Sequence, residues 1–155
     1  MSKVLIVGIG NEIRQDDGIG PYCLKLLKHM PAYANNKLVD CLTVHQLDIT
    51  HCTTFADYGL IIFIDAAAGD SPQSVRVEEI KPKPQPRNFT SHIGSIYDIL
   101  SLTQSLYGVT PKGYLVAVSG LSFEVGEGLS HTALKNATIA IQIVQELTDK
   151  FLPLG

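Results

Sequence analysis

Val4-Leu5-Ile6-Val7-Gly8-Ile9-Gly10-Asn11-Glu12-Ile13-Arg14-Gln15-Asp16-Asp17-Gly18-Ile19-Gly20-Pro21 is the stretch from which the fold is read. Residues 3–9 form an apolar, β-branched run without alternation, as expected of a strand covered on both faces. Residues 18–30 carry Tyr22, Cys23, Leu26, Leu27 and Met30 at helical spacing, with Pro21 near the first turn and Pro31 expected to stop the helix. A strand feeding a glycine-rich loop and then a helix is how open α/β sheets build sites. This loop is a poor phosphate cradle. A dinucleotide fingerprint needs a third glycine where Ile13 stands, a Walker loop needs a Gly-Lys-Ser/Thr ending, and Asp16 and Asp17 would repel phosphate. The loop presents acid, which suits a cation.

Outward from this stretch the same alternation continues. Residues 37–44 read as a second strand and residues 48–56 as a short helix with Asp48 or Thr50 near its cap. Tyr58-Gly59-Leu60-Ile61-Ile62-Phe63-Ile64-Asp65 is the strongest buried-strand signal and ends on an aspartate. Residues 74–80 alternate, with Val75, Val77 and Ile80 between charges, which predicts an edge strand with one wet face. The prolines of Lys81-Pro82-Lys83-Pro84-Gln85-Pro86 predict an extended loop. A helix then opens at Thr90-Ser91-His92, with Ile93, Ile96, Ile99, Leu100, Leu106 and Tyr107 as its apolar positions, and ends at Gly108. Tyr114 to Val118 is another buried strand, Gly120 to Gly128 is irregular, and a last helix runs from about Ser130 to Lys150 with Leu134, Ala137, Ile141, Val144 and Leu147 on one face. Strands alternating with helices predict an α/β fold: a mostly parallel sheet with helices on both faces. The 74–80 strand has no helix before it and is expected to be antiparallel.

Composition limits the possible functions. The chain has 155 residues, enough for one domain over 1–155 with an adequate core. With 45% hydrophobic and 17% charged residues it is a globular chain. A net charge of −3 without a basic cluster argues against nucleic acid. No apolar run reaches the roughly 18 residues a membrane span requires. No signal-like leader precedes the first strand, and Cys23, Cys41 and Cys52 are an odd set without CxxC spacing. The expectation is a cytoplasmic protein with reduced thiols.

Ligands of open α/β sheets bind beyond the carboxyl ends of the strands. The reading above brings three polar groups there: Asp17 after the first strand, Asp65 closing the 58–65 strand, and His92 opening the helix after the proline loop. Two carboxylates and an imidazole suit a divalent transition metal with open positions. Two carboxylates brought close without a cation would raise the pKa of at least one. Each residue also has a plainer reading. An exposed Asp16 or Asp17 complements a helix dipole for roughly 0.3–1 kcal/mol, and for Asp16 that reading has the edge. Asp65 equally suits bonding to loop amides, and His92 suits a helix-start hydrogen bond. His29, His45, His51 and His131 are surface or capping candidates. Neither Ser91 nor Cys23 has a nucleophile setting such as G-x-S-x-G.

Taken together, Gly8-x-Gly10-Asn11 with Asp16-Asp17-x-x-Gly20, Phe63-Ile64-Asp65-Ala66, Ser91-His92-x-Gly94, and Gly120-Leu121-Ser122 through Gly128-Leu129-Ser130 resemble, in order, the motifs of the hydrogenase maturation proteases. These are the endopeptidases that trim the C-terminal extension of the [NiFe]-hydrogenase large subunit. The resemblance covers essentially the whole chain. It implies a three-layer αβα sandwich around a twisted, five-stranded sheet, and it makes Asp17, Asp65 and His92 the metal-contacting and catalytic residues. Many members of the family carry Glu where Asp17 stands. Val44-His45-Gln46-Leu47 resembles the subgroup that serves soluble, bidirectional NAD(P)-linked hydrogenases. The resemblance also implies that the metal is nickel seated in the substrate, that the partner is the large-subunit precursor, and that no metal is held permanently. A monomer is the default expectation. Two other classes fit the same residues: a non-catalytic metal sensor, and an assembly chaperone that holds the precursor without cutting it.

Overall fold

The computed structural model describes residues 2–68, 73–81 and 92–152, with the side chains of residues 92–95 outside that description. The first strand, β1 (Val4–Ile9), is buried along its whole length. A 3-10 turn over Gln15–Gly18 leads into α1 (Ile19–Lys28). After α2 (Pro31–Ala34) come β2 (Val39–Val44), α3 (His51–Phe55), β3 (Leu60–Ala67), β4 (Val75–Ile80), α4 (His92–Tyr107), β5 (Lys112–Ser119) and α5 (His131–Phe151). The five strands form one sheet in the order β2-β1-β3-β5-β4. Every pairing is parallel except that of β4 with β5. The antiparallel edge strand expected from the sequence is therefore β4.

Strand parity sorts the core into two clusters. Val4 and Ile6 of β1 face α1 and α5, packing with Leu24, Leu27, Ala137, Ile141 and Val144. Leu5, Val7 and Ile9 face the other way, against Phe55 of α3 and Ile96, Ile99 and Leu100 of α4. The result is the expected three-layer sandwich, with α1 and α5 on one side of the sheet and α3 and α4 on the other.

Glycines set the spacing between α1 and the sheet. A Cβ on Gly20 would lie 2.6 Å from the Ile9 carbonyl oxygen and 2.7 Å from that of Ile64. The first turn of α1 thus rests directly on the backbones of β1 and β3, at their carboxyl ends. No side chain fits between them.

Three local expectations need correcting. Pro31 does not stop the first helix. That helix ends at Lys28, where the His29 N–H bonds the Leu26 and Leu27 carbonyls, and Pro31 is the first residue of α2. Its missing N–H costs nothing at that position. The edge strand has no single wet face, because Val75 and Ile80 are an odd number of residues apart and point to opposite faces. Val75 packs against the α1/α5 cluster and Ile80 lies in the α3/α4 cluster. Leu106 and Tyr107, in the last turn of α4, are exposed, and Tyr107 Oη meets Thr53 Oγ1 at 3.0 Å. The proline loop after Lys81 and the Thr90-Ser91 opening lie outside the described residues.

Candidate functional site

The register of the sheet brings two distant stretches together at its carboxyl edge. Ile9, the last residue of β1, pairs with Asp65 of β3, and Asp65 pairs in turn with Ala117 of β5. Asp65 is 5% exposed. Asp17 sits in the 3-10 turn immediately above, which packs against β3. Asn11 shapes the loop between them. Its Oδ1 accepts the Ile13 N–H at 3.1 Å, an Asx turn, and its own N–H donates to Asp17 Oδ2 at 2.8 Å. The half-buried Asp17 carboxylate is thereby held by one oxygen. Its Oδ1 accepts no hydrogen bond among the described residues.

The backbone brings the start of α4 to the same edge. Gly108 ends α4 shortly before β5 begins at Lys112, so the helix runs against the strand it precedes. Leu100 packs on Gly113, where a Cβ would lie 2.8 Å from Leu100 Cδ1. His92 begins the helix eight residues earlier, about 12 Å along its axis. Ala117, which pairs with Asp65, lies about 13 Å along β5 from Gly113. The first backbone turn of α4 is therefore level with Asp65. The His92 side chain is outside the described set, and among the described side chains no three His, Cys, Asp or Glu residues converge on one point.

Asp16 behaves differently from its sequence expectation. It is not an exposed dipole-complementing group but a fully buried carboxylate. Its Oδ2 accepts from the Leu121 N–H at 2.7 Å, the Ser122 N–H at 3.1 Å and Ser130 Oγ at 2.7 Å, while Oδ1 accepts the Ser130 N–H at 2.7 Å. Burial alone would raise its pKa. The Ser130 amide and hydroxyl and the Leu121 and Ser122 amides outweigh burial and hold the carboxyl below the usual range. Ser130 Oγ also accepts the Ala133 N–H and so caps α5.

Further contacts fasten the glycine loop to residues 120–130. The Asp16 N–H donates to the Ser122 carbonyl at 2.9 Å, the Gln15 N–H to Gly126 at 3.0 Å, and the Gly126 N–H to Ile13 at 2.8 Å. Arg14 Nη2 donates to the Phe123 carbonyl at 2.9 Å, and Ser122 Oγ donates to Gln15 Oε1. Gln15 adopts φ 49°, and no other non-glycine residue among those described has a positive φ. Such a conformation costs on the order of 1–3 kcal/mol and persists where surrounding contacts dictate it. No local sequence signal marks Asp16. Its donors lie more than a hundred residues away, and only Ser130, as a helix-start residue, was visible.

All three cysteines are free, and burial pushes the Cys23 thiol up to about 12, so that thiol holds its proton. Beside the glycine loop a cleft of ≈ 230 Å³ opens between Glu12, Gly18, Tyr22, Lys25 and Leu134, with Glu12 and Lys25 ion-paired at 2.9 Å across its rim.

No protein-family model and no curated protein matches the chain. Solved structures do. The hydrogenase maturating endopeptidase HybD from E. coli superposes with a TM-score of 0.75 over 96% of this chain and 93% of that one, at 22% identity. The chain has the fold of the hydrogenase maturation proteases. The [NiFe] hydrogenase maturation protease HybD from Thermococcus kodakarensis gives a TM-score of 0.67 over 95% of this chain and 99% of that one, at 21% identity. HycI from T. kodakarensis KOD1, likewise a [NiFe] hydrogenase maturation protease, gives 0.71 over 95% and 92%, at 18% identity.

Proposed function

We propose that this protein is an endopeptidase that removes the C-terminal extension of a nickel-loaded [NiFe]-hydrogenase large-subunit precursor. One observation supports the reading: in a fold shared with the hydrogenase maturation proteases, the 3-10 turn that carries Asp17 packs against β3, the strand that carries Asp65, and α4 begins with His92. In this reading the nickel belongs to the substrate. It arrives seated among the precursor's cysteines, and Asp17, Asp65 and His92 supply oxygen and nitrogen donors at its open positions. Carboxylates are poor permanent ligands for nickel compared with thiolates, so the protein reads the metal without removing it. We assign the nickel contact of Asp17 to Oδ2, which the Asn11 N–H fixes, and this leaves Oδ1 available.

Cutting also needs a base to take a proton from the attacking water, and we assign that step to Asp17 through Oδ1. The adjoining surface suits a protein substrate. Ile13, Leu121 and Val125 stand exposed on the two fastened loops, and we assign them to contact with the precursor. The cleft beside Gly18 has room for a side chain of the extension. His45, Gln46 and Leu47 follow β2 at the same edge, and we assign client choice there, with an NAD(P)-linked hydrogenase as the client.

The test is to incubate the purified protein with precursor large subunit, prepared with and without nickel, and to weigh the products by mass spectrometry. A single cut confined to the nickel-loaded precursor is expected. If the loaded precursor stays at full length, the peptidase reading is wrong; tight binding without cutting would identify a chaperone instead.

A further inference from the structure

We propose that Asp16 is a positioning residue of this site, whose buried carboxylate locks residues 120–130 onto the glycine loop and so holds Asp17 in place. The inference deepens the peptidase reading and rests on it for the nature of the reaction. A buried carboxylate is costly unless its oxygens are bonded, and here four donors satisfy it. All four come from the far loop or the α5 cap. The bonding with Ser122 is reciprocal: the Asp16 N–H donates to the Ser122 carbonyl while the Ser122 N–H donates to the Asp16 carboxylate. Together with the flanking Gln15–Gly126 pair, this ties the 3-10 turn to residues 120–130 in addition to its Asn11 contact.

Asp17 is the next residue, and its own carboxylate has a single described tether, the Asn11 N–H. Among the described residues no other hydrogen bond of its side chain would keep it in place if the turn drifted. There is also no slack to absorb a drift. A Cβ on Gly10 would lie 1.8 Å from the Asp17 carbonyl oxygen, and one on Gly120 would lie 2.7 Å from Asp16 Cβ. The turn is thus wedged between Gly10, which meets its backbone, and Gly120, which meets the Asp16 side chain, with Asp16 as the fastening. Ser130 extends the link, because the hydroxyl that bonds Asp16 also caps α5.

Hydrogen exchange on 15N-labelled protein tests this through the amides of Leu121, Ser122, Ser130 and Asn11. Asp16→Asn puts an amide group among four N–H and O–H donors, and exchange at all four sites is expected to rise about tenfold or more. If the loop amides are freed and Asn11 is unchanged, Asp17 keeps its place without Asp16 and the proposal falls. Should Asp16→Asn fail to fold, Ser130→Ala removes one donor only. About threefold faster exchange at Ser122 and Asn11 is expected there, with Ser130→Thr restoring the wild-type rate; no change in Ser130→Ala overturns the proposal.

Turnover gives a readout that a purely structural role would not move. With nickel-loaded precursor at saturation, and at a temperature where the variant is folded, Asp16→Asn is expected to cut about tenfold more slowly or worse, because displacements near 1 Å are costly to catalysis. Wild-type turnover in folded Asp16→Asn overturns the proposal. Wild-type protein is assayed first: if it does not cut, the peptidase reading fails and the Asn11 amide alone decides the role of Asp16.

Discussion

At position 16 a carboxylate accepts four hydrogen bonds from residues more than a hundred positions away, while at position 17 the next carboxylate accepts one, from Asn11. Nothing in the dipeptide separates the two. Both are aspartates in a glycine-rich loop before a helix, and the dipole argument applies equally to each. The difference arises where the 120–130 segment folds back, so it was out of reach of any local pattern, whereas the places of Asp17 and Asp65 in the fold could be read because one follows a legible strand and the other lies near the end of one. The two positions should separate by experiment. Asp17→Asn keeps the shape and the Asn11 contact but removes the proposed base, so cleavage is expected to fall roughly 10²-fold or more with little change in Tm. A variant that retains wild-type turnover removes Asp17 from the chemistry. Asp40 offers a test of pH dependence. It accepts from Lys3 Nζ at 2.8 Å and from Tyr58 Oη at 2.6 Å. The Lys3 and Tyr58 hydrogen bonds, in that order, hold its carboxyl below the usual value against the opposing effect of burial. A depressed folded pKa means stability that is present above the unfolded pKa and is lost as pH falls through the folded one. The side chain is 41% exposed, so screening limits the contribution to under about 1 kcal/mol. Asp40→Asn should lower Tm slightly at pH 7 and converge on wild type as the pH falls below the usual carboxylate range, followed by calorimetry; parallel curves would exclude the linkage.

Among the elements, the central strands were the most legible. Val4 to Ile9 and Leu60 to Ile64 are covered on both faces, and that environment leaves the continuous apolar runs from which they were read. Features set by contact with another element were less visible. Pro31 reads as a stop but serves as a start, because the chain had already turned at His29. Leu106 belongs to the apolar pattern of α4 yet is exposed. The contact between α1 and the sheet has the clearest energetic consequence. At Gly20 an added methyl would meet three backbone atoms at 2.6–2.7 Å, and backbone, unlike the end of a flexible side chain, cannot rotate aside. Gly20→Ala must therefore lift α1 from β1 and β3, at a cost of about 1–3 kcal/mol or more. Denaturant melts should show a lowered midpoint. Cleavage should fall further than stability does, because the 3-10 turn that carries Asp17 leads directly into α1. A variant as stable as wild type would mean that this contact has more slack than the backbone distances allow.

For the molecule as a whole the question is whether any metal belongs to the fold. Two apolar clusters pack the opposite faces of the sheet, and the loops at its carboxyl edge are fastened by the Asp16 carboxylate and by backbone pairs. A resident metal would add to these ties, since an ion that binds the folded state alone adds stability that grows with the logarithm of its free concentration over Kd, about 4 kcal/mol at a thousand times its Kd. Removing such an ion lowers Tm. If nickel instead arrives with the precursor, chelation should leave the free protein untouched and act only on the reaction. The expectation is therefore a Tm in EDTA within about 1 °C of that in buffer, together with loss of cleavage when the same chelator is used to strip the precursor before mixing. The two measurements must be read together. A large fall in the Tm of the free protein would make the metal resident and displace the cargo reading. Unchanged cleavage of verified metal-free precursor would remove nickel from recognition while leaving the peptidase activity intact. Only a stable free protein that leaves stripped precursor uncut fits a site whose Asp16 and Asp17 carboxylates are held by amides and whose cation travels with the substrate.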